Sequence, residues 1–182
     1  MRDESQKSTE NIELLIESLL FVADEAVHID RLVGALEVSA EEVEEALQVL
    51  APKYAHRGLR LQRKGSRVQM VTAPEAAGVI RRFLGLESGS KLSPAALETL
   101  AIVAYRQPIT RAQVEAIRGV NSDSVLRTLT NRGLIEEQGR LEQVGRPILY
   151  GTTFEFLQQF GLESLDQLPP LGEPLPEAQA SR

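Results

Sequence analysis

The chain contains no cysteine, and this absence excludes several kinds of chemistry at once. Its 182 residues also include no tryptophan and only two histidines. Without cysteine there can be no disulfide, no thiolate nucleophile and no zinc–thiolate site. A histidine-based metal site would need both His28 and His56, which lie in an extended VHID stretch and at a helix end. We therefore expect no metal and no cofactor.

Long apolar runs are also missing. No stretch of the sequence is apolar over the length that a bilayer-spanning helix needs, and the start, MRDESQKSTE, is polar and acidic. We expect a cytoplasmic protein with no membrane association. The formal net charge is -6. Because contacts with phosphates supply most non-specific affinity for DNA, this balance disfavours a DNA-binding role.

The sequence consists of two similar halves. Each half predicts a helix, a short extended piece, a short helix, a longer helix and a two-stranded hairpin. In the first half these are Asn11–Asp24, Val27–Ile29, Asp30–Glu37, Ser39–His56 and a hairpin that turns at Gly65–Ser66. In the second half they are Ser93–Gln107, the extended pair Pro108–Ile109, Thr110–Arg118, Asn121–Arg132 and strands LIEEQ and ILYGT. The sequence therefore predicts a domain duplication.

The residues at the helix ends repeat as well. Ser39 with Glu42, and Thr110 with Gln113, have the spacing of a capping box. Gly58 and Gly133 follow the long helices, where a left-handed residue is expected. Ser93–Pro94 predicts a capped helix start with proline in the first turn.

Three helices followed by a two-stranded wing predict a winged-helix domain. The expected fold is mainly α with small β wings (α+β), as two tandem winged-helix domains. The predicted limits are a flexible N-terminus (1–8), an N-terminal domain (9–86), a linker (87–92), a C-terminal domain (93–168) and a disordered, proline-rich tail (169–182).

Winged helices commonly read DNA through the third helix, so a DNA-binding transcriptional regulator is the alternative function. In the first half this helix carries Glu41, Glu42, Glu44 and Glu45, which would repel phosphates. In the second half Arg127 and Asn131 could contact a base, although a few polar residues on a solvated face are common.

The sequence offers little support for an enzyme. The stretch GLESGSKL does not have the residue spacing of a P-loop, and Glu136 and Glu137 are predicted to point to opposite faces of a strand.

A family resemblance rests on the second half of the chain. The stretches ETLAIVAYRQPITRAQVEAIRGVNSDSVLRTLTNRGLIEEQGR and GRPILYGTTFEFLQQFGLESLDQLPPL closely resemble the segregation and condensation protein B (ScpB) family. The resemblance implies a non-enzymatic subunit of the bacterial SMC–ScpA–ScpB complex, which supports chromosome condensation and segregation at the nucleoid. It also implies a homodimer that binds the kleisin ScpA, contacts the SMC ATPase through ScpA, and binds DNA at most weakly and non-specifically.

The second domain is the predicted kleisin-binding domain, because the resemblance is dense there at polar positions that core packing does not require. The predicted kleisin-binding residues are Tyr105, Arg106, Gln107, Pro108, Ile109, Thr110, Arg111, Arg118, Gly119, Val120, Asn121, Ser122, Arg146, Pro147 and Tyr150. On this interpretation Arg146 is a charge at the rim of an apolar edge. The alternative is that Gly145–Pro147 is only a turn and Tyr150 a core residue.

Surplus apolar residues on two helices support a binding role independently of the resemblance. Ile12, Leu15, Ile16, Leu19, Leu20 and Ala23 form a core stripe on the first helix. Leu14, Phe21 and Val22 lie off that stripe and are the predicted dimer interface of the first domain. Glu13 and Glu17 are expected to flank this apolar set as a polar rim. On the helix that opens the second half, Leu97, Leu100, Ala101 and Ala104 form the core stripe, and Ile102, Val103 and Tyr105 are predicted to form a second apolar side.

Overall fold

The computed structural model describes residues 2–85 and 91–171, with side chains from residue 11 onward. The same order of elements occurs twice. The first half comprises α1 (Arg2–Val22), β1 (Val27–His28), α2 (Ile29–Leu36), α3 (Ala40–Tyr54), β2 (Leu59–Lys64), β3 (Arg67–Thr72), a 3-10 turn (Pro74–Ala76) and α4 (Ala77–Phe83). The second comprises α5 (Pro94–Arg106), β4 (Ile109–Thr110), α6 (Arg111–Arg118), α7 (Asp123–Asn131), β5 (Ile135–Arg140), β6 (Ile148–Thr152), α8 (Phe154–Phe160) and a 3-10 turn (Leu165–Gln167).

Each half forms a three-stranded antiparallel sheet from the short strand and the hairpin. The strand orders are β1-β3-β2 and β4-β6-β5, so the return strand of each wing lies in the middle. Val27 pairs with Val68 in the first sheet, and Ile109 pairs with Tyr150 in the second. Helix–turn–helix order with a wing is thus present in both halves, which confirms the predicted tandem winged-helix fold.

Two separate hydrophobic cores lie under the two sheets. The first joins α1, α2, α3 and the wing through residues such as Ile16, Leu32 and Val43, which are almost fully buried. The second joins α5, α6, α7, β5 and α8 through Leu100, Val103, Val114, Leu126, Leu129, Ile135 and Leu157. Their spacing of three and four residues within each helix creates one apolar face.

Several predicted helix ends are confirmed. Ser39 with Glu42 and Thr110 with Gln113 form complete capping boxes, and Ser93 caps α5 by accepting a hydrogen bond from the amide of Ala96. Gly133 adopts the predicted left-handed conformation.

The left-handed prediction for Gly58 is wrong, because α3 ends earlier, at Tyr54. There the guanidinium group of Arg60 donates hydrogen bonds to the carbonyl oxygens of Tyr54 and Arg57. An arginine side chain therefore bonds carbonyl groups at the end of α3 and in the turn that follows it.

Some limits differ from the sequence prediction. Helix α1 begins at Arg2, although a flexible N-terminus was expected over residues 1–8 and a helix only from Asn11. The linker 87–92 lies largely outside the described residues, as does the tail beyond Leu171. The domain limits at 9–86 and 93–168 stay a prediction.

The predicted apolar faces of α5 are partly wrong. Val103 is fully buried in the core, whereas Leu97 is half exposed. Ile102 is half buried, and the Tyr105 hydroxyl donates a hydrogen bond to the carbonyl oxygen of Pro169 at 2.6 Å. The second side of α5 is thus covered within the chain by the segment that follows α8. Leu162, Leu165 and Leu168 of this segment pack against the second core.

Candidate partner-binding surfaces

Two of the three predicted kleisin-binding stretches meet in the second sheet. Strand β4 pairs with β6, which places Ile109 beside Tyr150 and Thr110 beside Leu149. The turn that contains Arg146 lies at the outer end of the same wing. The third stretch, Arg118–Ser122, forms the turn between α6 and α7, where Gly119 is left-handed. The two turns are therefore separate features of the second domain's surface.

Gln107 has a structural role within the second domain. Its amide oxygen accepts hydrogen bonds from the backbone amide of Thr152 at 2.8 Å and from the Thr152 hydroxyl at 3.1 Å. Its amide nitrogen donates to the carbonyl oxygen of Ala104 at 3.0 Å. Gln107 therefore ties the end of α5 to the end of β6, and the polar residue at this position has an internal reason.

The turn between α6 and α7 is also held by its polar side chains. The Arg118 guanidinium lies 3.0 Å from the carboxylate of Glu98 and donates to the hydroxyl of Ser122 at 2.9 Å. The side-chain oxygen of Asn121 accepts a hydrogen bond from the amide of Asp123. Ser122 and Thr110 are buried, as is Ile109. These residues therefore support the surface from within the domain, and they present few of their polar groups to a partner.

The exposed part of the predicted site consists of Arg106, Pro108, Arg111, Gly119, Val120, Asn121 and Arg146. Arg111 forms an ion pair with Asp123 at 2.8 Å, and Arg146 lies 3.3 Å from the Glu142 carboxylate. Arg106 has no side-chain partner among the described residues. Exposed pairs of this kind stabilise a fold little and can exchange partners readily.

Tyr150 lies half buried between the wing and the helices. Burial raises the pKa of its hydroxyl, and the negative charge of Glu137 raises it further. The guanidinium groups of Arg111 and Arg140 oppose that increase. Tyr150 packs against the second core, so it is partly a core residue, as the alternative interpretation expected. Its polar end still faces a mixed-charge surface that includes Arg111.

Helix α1 carries the predicted dimer residues on one exposed face. In the single chain Leu14 is 61%, Phe21 is 78% and Val22 is 73% exposed. Leu15, which was expected in the core stripe, is also exposed and widens this face. Leu14, Leu15, Phe21 and Val22 together form the α1 face.

Glu13 does not belong to a polar rim of the α1 face. It is buried, and its carboxylate pairs with the ammonium group of Lys53 on α3. The Glu17 carboxylate is close enough to the Tyr54 hydroxyl on α3 to raise the pKa of that hydroxyl. The expectation that both glutamates flank the apolar set is therefore wrong for Glu13, which contacts the next helix instead, and it stays a prediction for Glu17, which is exposed on α1.

Sequence patterns missed a second exposed apolar group, on α4. Val79, Phe83 and Leu84 are all more than half exposed, and no residue of this helix is buried. The apolar composition of the segment predicts burial, but no residue in the part of the chain that the structure describes covers these side chains. Ile117, at the end of α6, is exposed in the same way.

The recognition helices are poorly suited to DNA. Glu41, Glu42 and Glu45 are exposed on α3, and Glu44 is bound by Arg63 through contacts of 2.5 and 2.6 Å. On α7, the Arg127 guanidinium is 3.2 Å from Asp123. A base contact by Arg127 would require that ion pair to break, and acidic side chains would face the phosphates in the first domain.

One cluster has the order of a catalytic triad but not its chemistry. The hydroxyl of Ser66 lies 2.7 Å from Nε2 of His28, and Nδ1 lies 3.3 Å from the Asp30 carboxylate. However, Nδ1 also accepts a hydrogen bond from the amide of Asp30, where His28 caps α2. The neutral ring then carries its proton on Nε2 and donates it to Ser66, so it cannot act as a base toward that hydroxyl.

No group of three potential metal ligands occurs among the described side chains, those of residues 11–85 and 91–171. Within residues 2–85 and 91–171, no helix is both long and apolar enough to cross a membrane.

Duplicated winged helices with acidic or internally paired recognition helices, together with a bare apolar helix face, define a tandem winged-helix protein suited to protein partners. A family model described as segregation and condensation complex subunit ScpB matches residues 14–171. Segregation and condensation protein B of Desulforamulus reducens is 50% identical over 166 residues, covering 90% of this chain and 91% of that protein. A Bacillus cereus protein of the same name is 48% identical over 162 residues, covering 87% of this chain and 85% of that protein. The chain therefore belongs to the ScpB family of segregation and condensation complex subunits.

Solved structures of the same family also align with this chain. ScpB from Mycobacterium tuberculosis is 40% identical, with 85% of this chain and 97% of that chain covered and a TM-score of 0.41. A dimer of an ScpB N-terminal domain complexed with an ScpA peptide is 23% identical, with coverage of 42% and 98% and a TM-score of 0.39.

Proposed function

We propose that this chain is a non-enzymatic, dimeric subunit that binds the kleisin ScpA and through it the SMC ATPase, in the cytoplasm at the nucleoid. The observation that carries the proposal is the α1 face, where Leu14, Phe21 and Val22 are 61%, 78% and 73% exposed in the single chain. Contiguous exposed apolar side chains usually mark a protein interface. Family membership indicates which complex supplies the partners.

The α1 face is assigned to the homodimer. A self-complementary patch about a two-fold axis needs no second component, and two-fold dimers are the commonest assembly. Phe21 projects from this face and would be buried against the second copy. A glutamate at this position would bring a charge into an apolar contact without disturbing the core, since Phe21 does not contribute to it.

Sedimentation of the full chain tests this assignment. Phe21→Glu should convert the dimer to a monomer with an unchanged circular dichroism spectrum. Phe83→Glu on α4 is the matched control, because it changes the same residue type at a site that is 87% exposed. A dimer that resists Phe21→Glu but dissociates with Phe83→Glu would move the contact to α4. A parent chain that is monomeric at all concentrations would refute the dimer.

The kleisin site is assigned to the second domain, around Arg106, Arg111, Arg146 and the half-buried Tyr150. The short strand that follows Arg106 and precedes Arg111 pairs directly with the strand that carries Tyr150, which joins these groups into one surface. Apolar area beside exposed arginines is typical of an interface in which rim charges set orientation and association rate. Tyr105 contributes indirectly, since its hydroxyl is already bonded to Pro169.

Binding of purified ScpA to charge-reversal variants tests the location. Arg106→Glu with Arg146→Glu should weaken binding by about tenfold or more, because both charges are reversed at the interface. Arg81→Glu with Arg82→Glu, a double reversal in the first domain, is the matched control. A loss of ScpA affinity that is confined to the first-domain variant would mean that the kleisin binds the first domain. An equal affinity in both variants and the parent would exclude both charged surfaces.

A further inference from the structure

The two winged-helix domains contact each other along the outer edge of β2. The amide of Arg63 donates a hydrogen bond to the carbonyl oxygen of Glu163 at 2.7 Å. The side-chain amide of Gln62 donates to the carbonyl oxygen of Leu162, also at 2.7 Å. The segment that follows α8 therefore runs along the edge strand of the first sheet, where β2 would otherwise present unpaired main-chain groups.

Gln62 is oriented for this contact from within its own domain. It is only 2% exposed, and its side-chain oxygen accepts a hydrogen bond from the side-chain nitrogen of Gln69 on β3 at 3.1 Å. With its oxygen held by Gln69, the nitrogen of Gln62 points toward Leu162. A buried glutamine with both ends paired selects one position of the neighbouring chain segment.

Charged groups extend the contact on either side of Gln62. The ammonium group of Lys64 lies 2.5 Å from the carboxylate of Glu136 on β5, and Nε of Arg60 lies 3.5 Å from the carboxylate of Glu163. Gly161 approaches the first domain closely, since an added Cβ there would lie 3.2 Å from the Cβ of Pro74. Hydrogen bonds and ion pairs thus supply most of the named contacts between the domains.

Two grooves adjoin this contact and are lined in part by its own residues. One groove is lined by Arg60, Glu75 and Gln158, and the other by Lys64, Gln107 and Glu136. Domain interfaces that are small and polar permit relative motion, whereas large apolar interfaces do not. The polar groups here can exchange their partners for water when the domains separate.

We propose that this contact is a releasable latch, in which Gln62, Arg63 and Lys64 of the first domain hold Leu162, Glu163 and Glu136 of the second at one fixed angle. The latch positions the α1 face relative to the surface around Tyr150, and its release exposes the edge of β2. The latch does not depend on what either surface binds, so the experiment that tests it is independent of the proposed function.

Electron–electron distance measurements on the full chain test the latch, and the natural absence of cysteine makes the labelling specific. Gln48→Cys on α3 and Ala112→Cys on α6 supply two exposed labelling sites, one in each domain. We expect a distance distribution with one narrow peak for the parent. Lys64→Glu should broaden it by setting a carboxylate against Glu136. Adding Glu136→Lys should restore the narrow peak, because the swapped pair re-forms the attraction.

Two further variants complete the experiment. Arg31→Glu on α2 is the matched charge reversal in the first domain and should leave the peak narrow, since the exposed Arg31 side chain has no partner in the second domain among the described residues. Gln62→Ala should broaden the peak without a charge change. A parent distribution already as broad as that of Lys64→Glu would overturn the latch. So would a narrow peak in both Lys64→Glu and Gln62→Ala, or a swap that fails to restore the parent distribution.

Discussion

Arg60 and Arg63 lie on the same strand, yet their different surroundings predict unequal contributions to stability. The guanidinium group of Arg60 is buried and donates to three carbonyl oxygens, those of Tyr54, Arg57 and Leu59. The side chain of Arg63 is 42% exposed and contacts one carboxylate, that of Glu44. The same substitution to methionine at both positions therefore separates a buried network from a surface ion pair.

Arg60→Met removes the guanidinium donor from these carbonyl groups, although the Tyr54 carbonyl keeps its hydrogen bond from the amide of Arg57. It also removes the ion pair of Arg60 with Glu75 at 3.1 Å. Each buried hydrogen bond to a charged group contributes about 1.5–3 kcal/mol, and neighbouring bonds are not additive, so we expect a loss of about 2–4 kcal/mol. Arg63→Met should cost less than about 1 kcal/mol, because solvent screens an exposed pair. With a urea m-value of about 1–3 kcal/mol/M, only Arg60→Met should clearly lower the urea concentration at which half of the protein is unfolded.

Urea unfolding followed by circular dichroism measures the two losses, and hydrogen exchange of amides in α3 assigns them to the first domain. Glu163→Gln is the control for the second-domain contact of Arg60, and it should cost less than about 1 kcal/mol because Glu163 is 42% exposed. A loss in Arg63→Met as large as that in Arg60→Met would refute the reasoning. So would a loss in Glu163→Gln that matches Arg60→Met.

Burial and the nearby Glu17 raise the pKa of Tyr54 to about 12, so this group stabilises the first domain fully below its unfolded pKa of about 10 and loses that contribution as the pH rises through 12. An ultraviolet tyrosinate titration should lose its last step in Tyr54→Phe and keep it if the assignment is wrong. The hydrogen bond from Arg63 lowers the pKa of Glu44, so its stabilisation is present above the ordinary carboxyl pKa and disappears as the pH falls through the lowered one. Acid unfolding curves should be less steep for Arg63→Met, and a curve identical to the parent would contradict this. Leu129→Ala in the core should cost about 2–5 kcal/mol in chemical denaturation, whereas Ile117→Ala should cost almost nothing, and similar losses would refute the burial assignment.

Signals that act within a few residues explain what the sequence predicted correctly. The capping boxes at Ser39 and Thr110 bring together groups three residues apart, so their geometry depends only on local backbone. The apolar stripes of α1 and α7 repeat every three or four residues and place Ile16 and Leu129 in the cores. The repetition of both signals in each half made the duplicated fold predictable.

Contacts between distant residues explain what the sequence could not predict. Tyr105 on α5 is covered by Pro169, and no local pattern marks that pairing. Glu13 is buried because Lys53 on another helix neutralises it, although glutamate is ordinarily exposed. In the candidate kleisin site, Gln107 and Arg118 proved to hold the fold together. Residue type alone does not distinguish such internal ties from groups that face a partner.

The two wings share a fold but protect their outer strands by different means. The edge of β2 is covered by the segment at Glu163. Strand β5 instead has a shift in register between Glu137 and Gly139, and its outer residues are exposed and largely charged. Irregularity and charge both discourage another strand from pairing with an edge. The protection of the first wing's edge therefore depends on the other domain, so any event that separates the domains exposes β2 while the edge of β5 keeps its own protection.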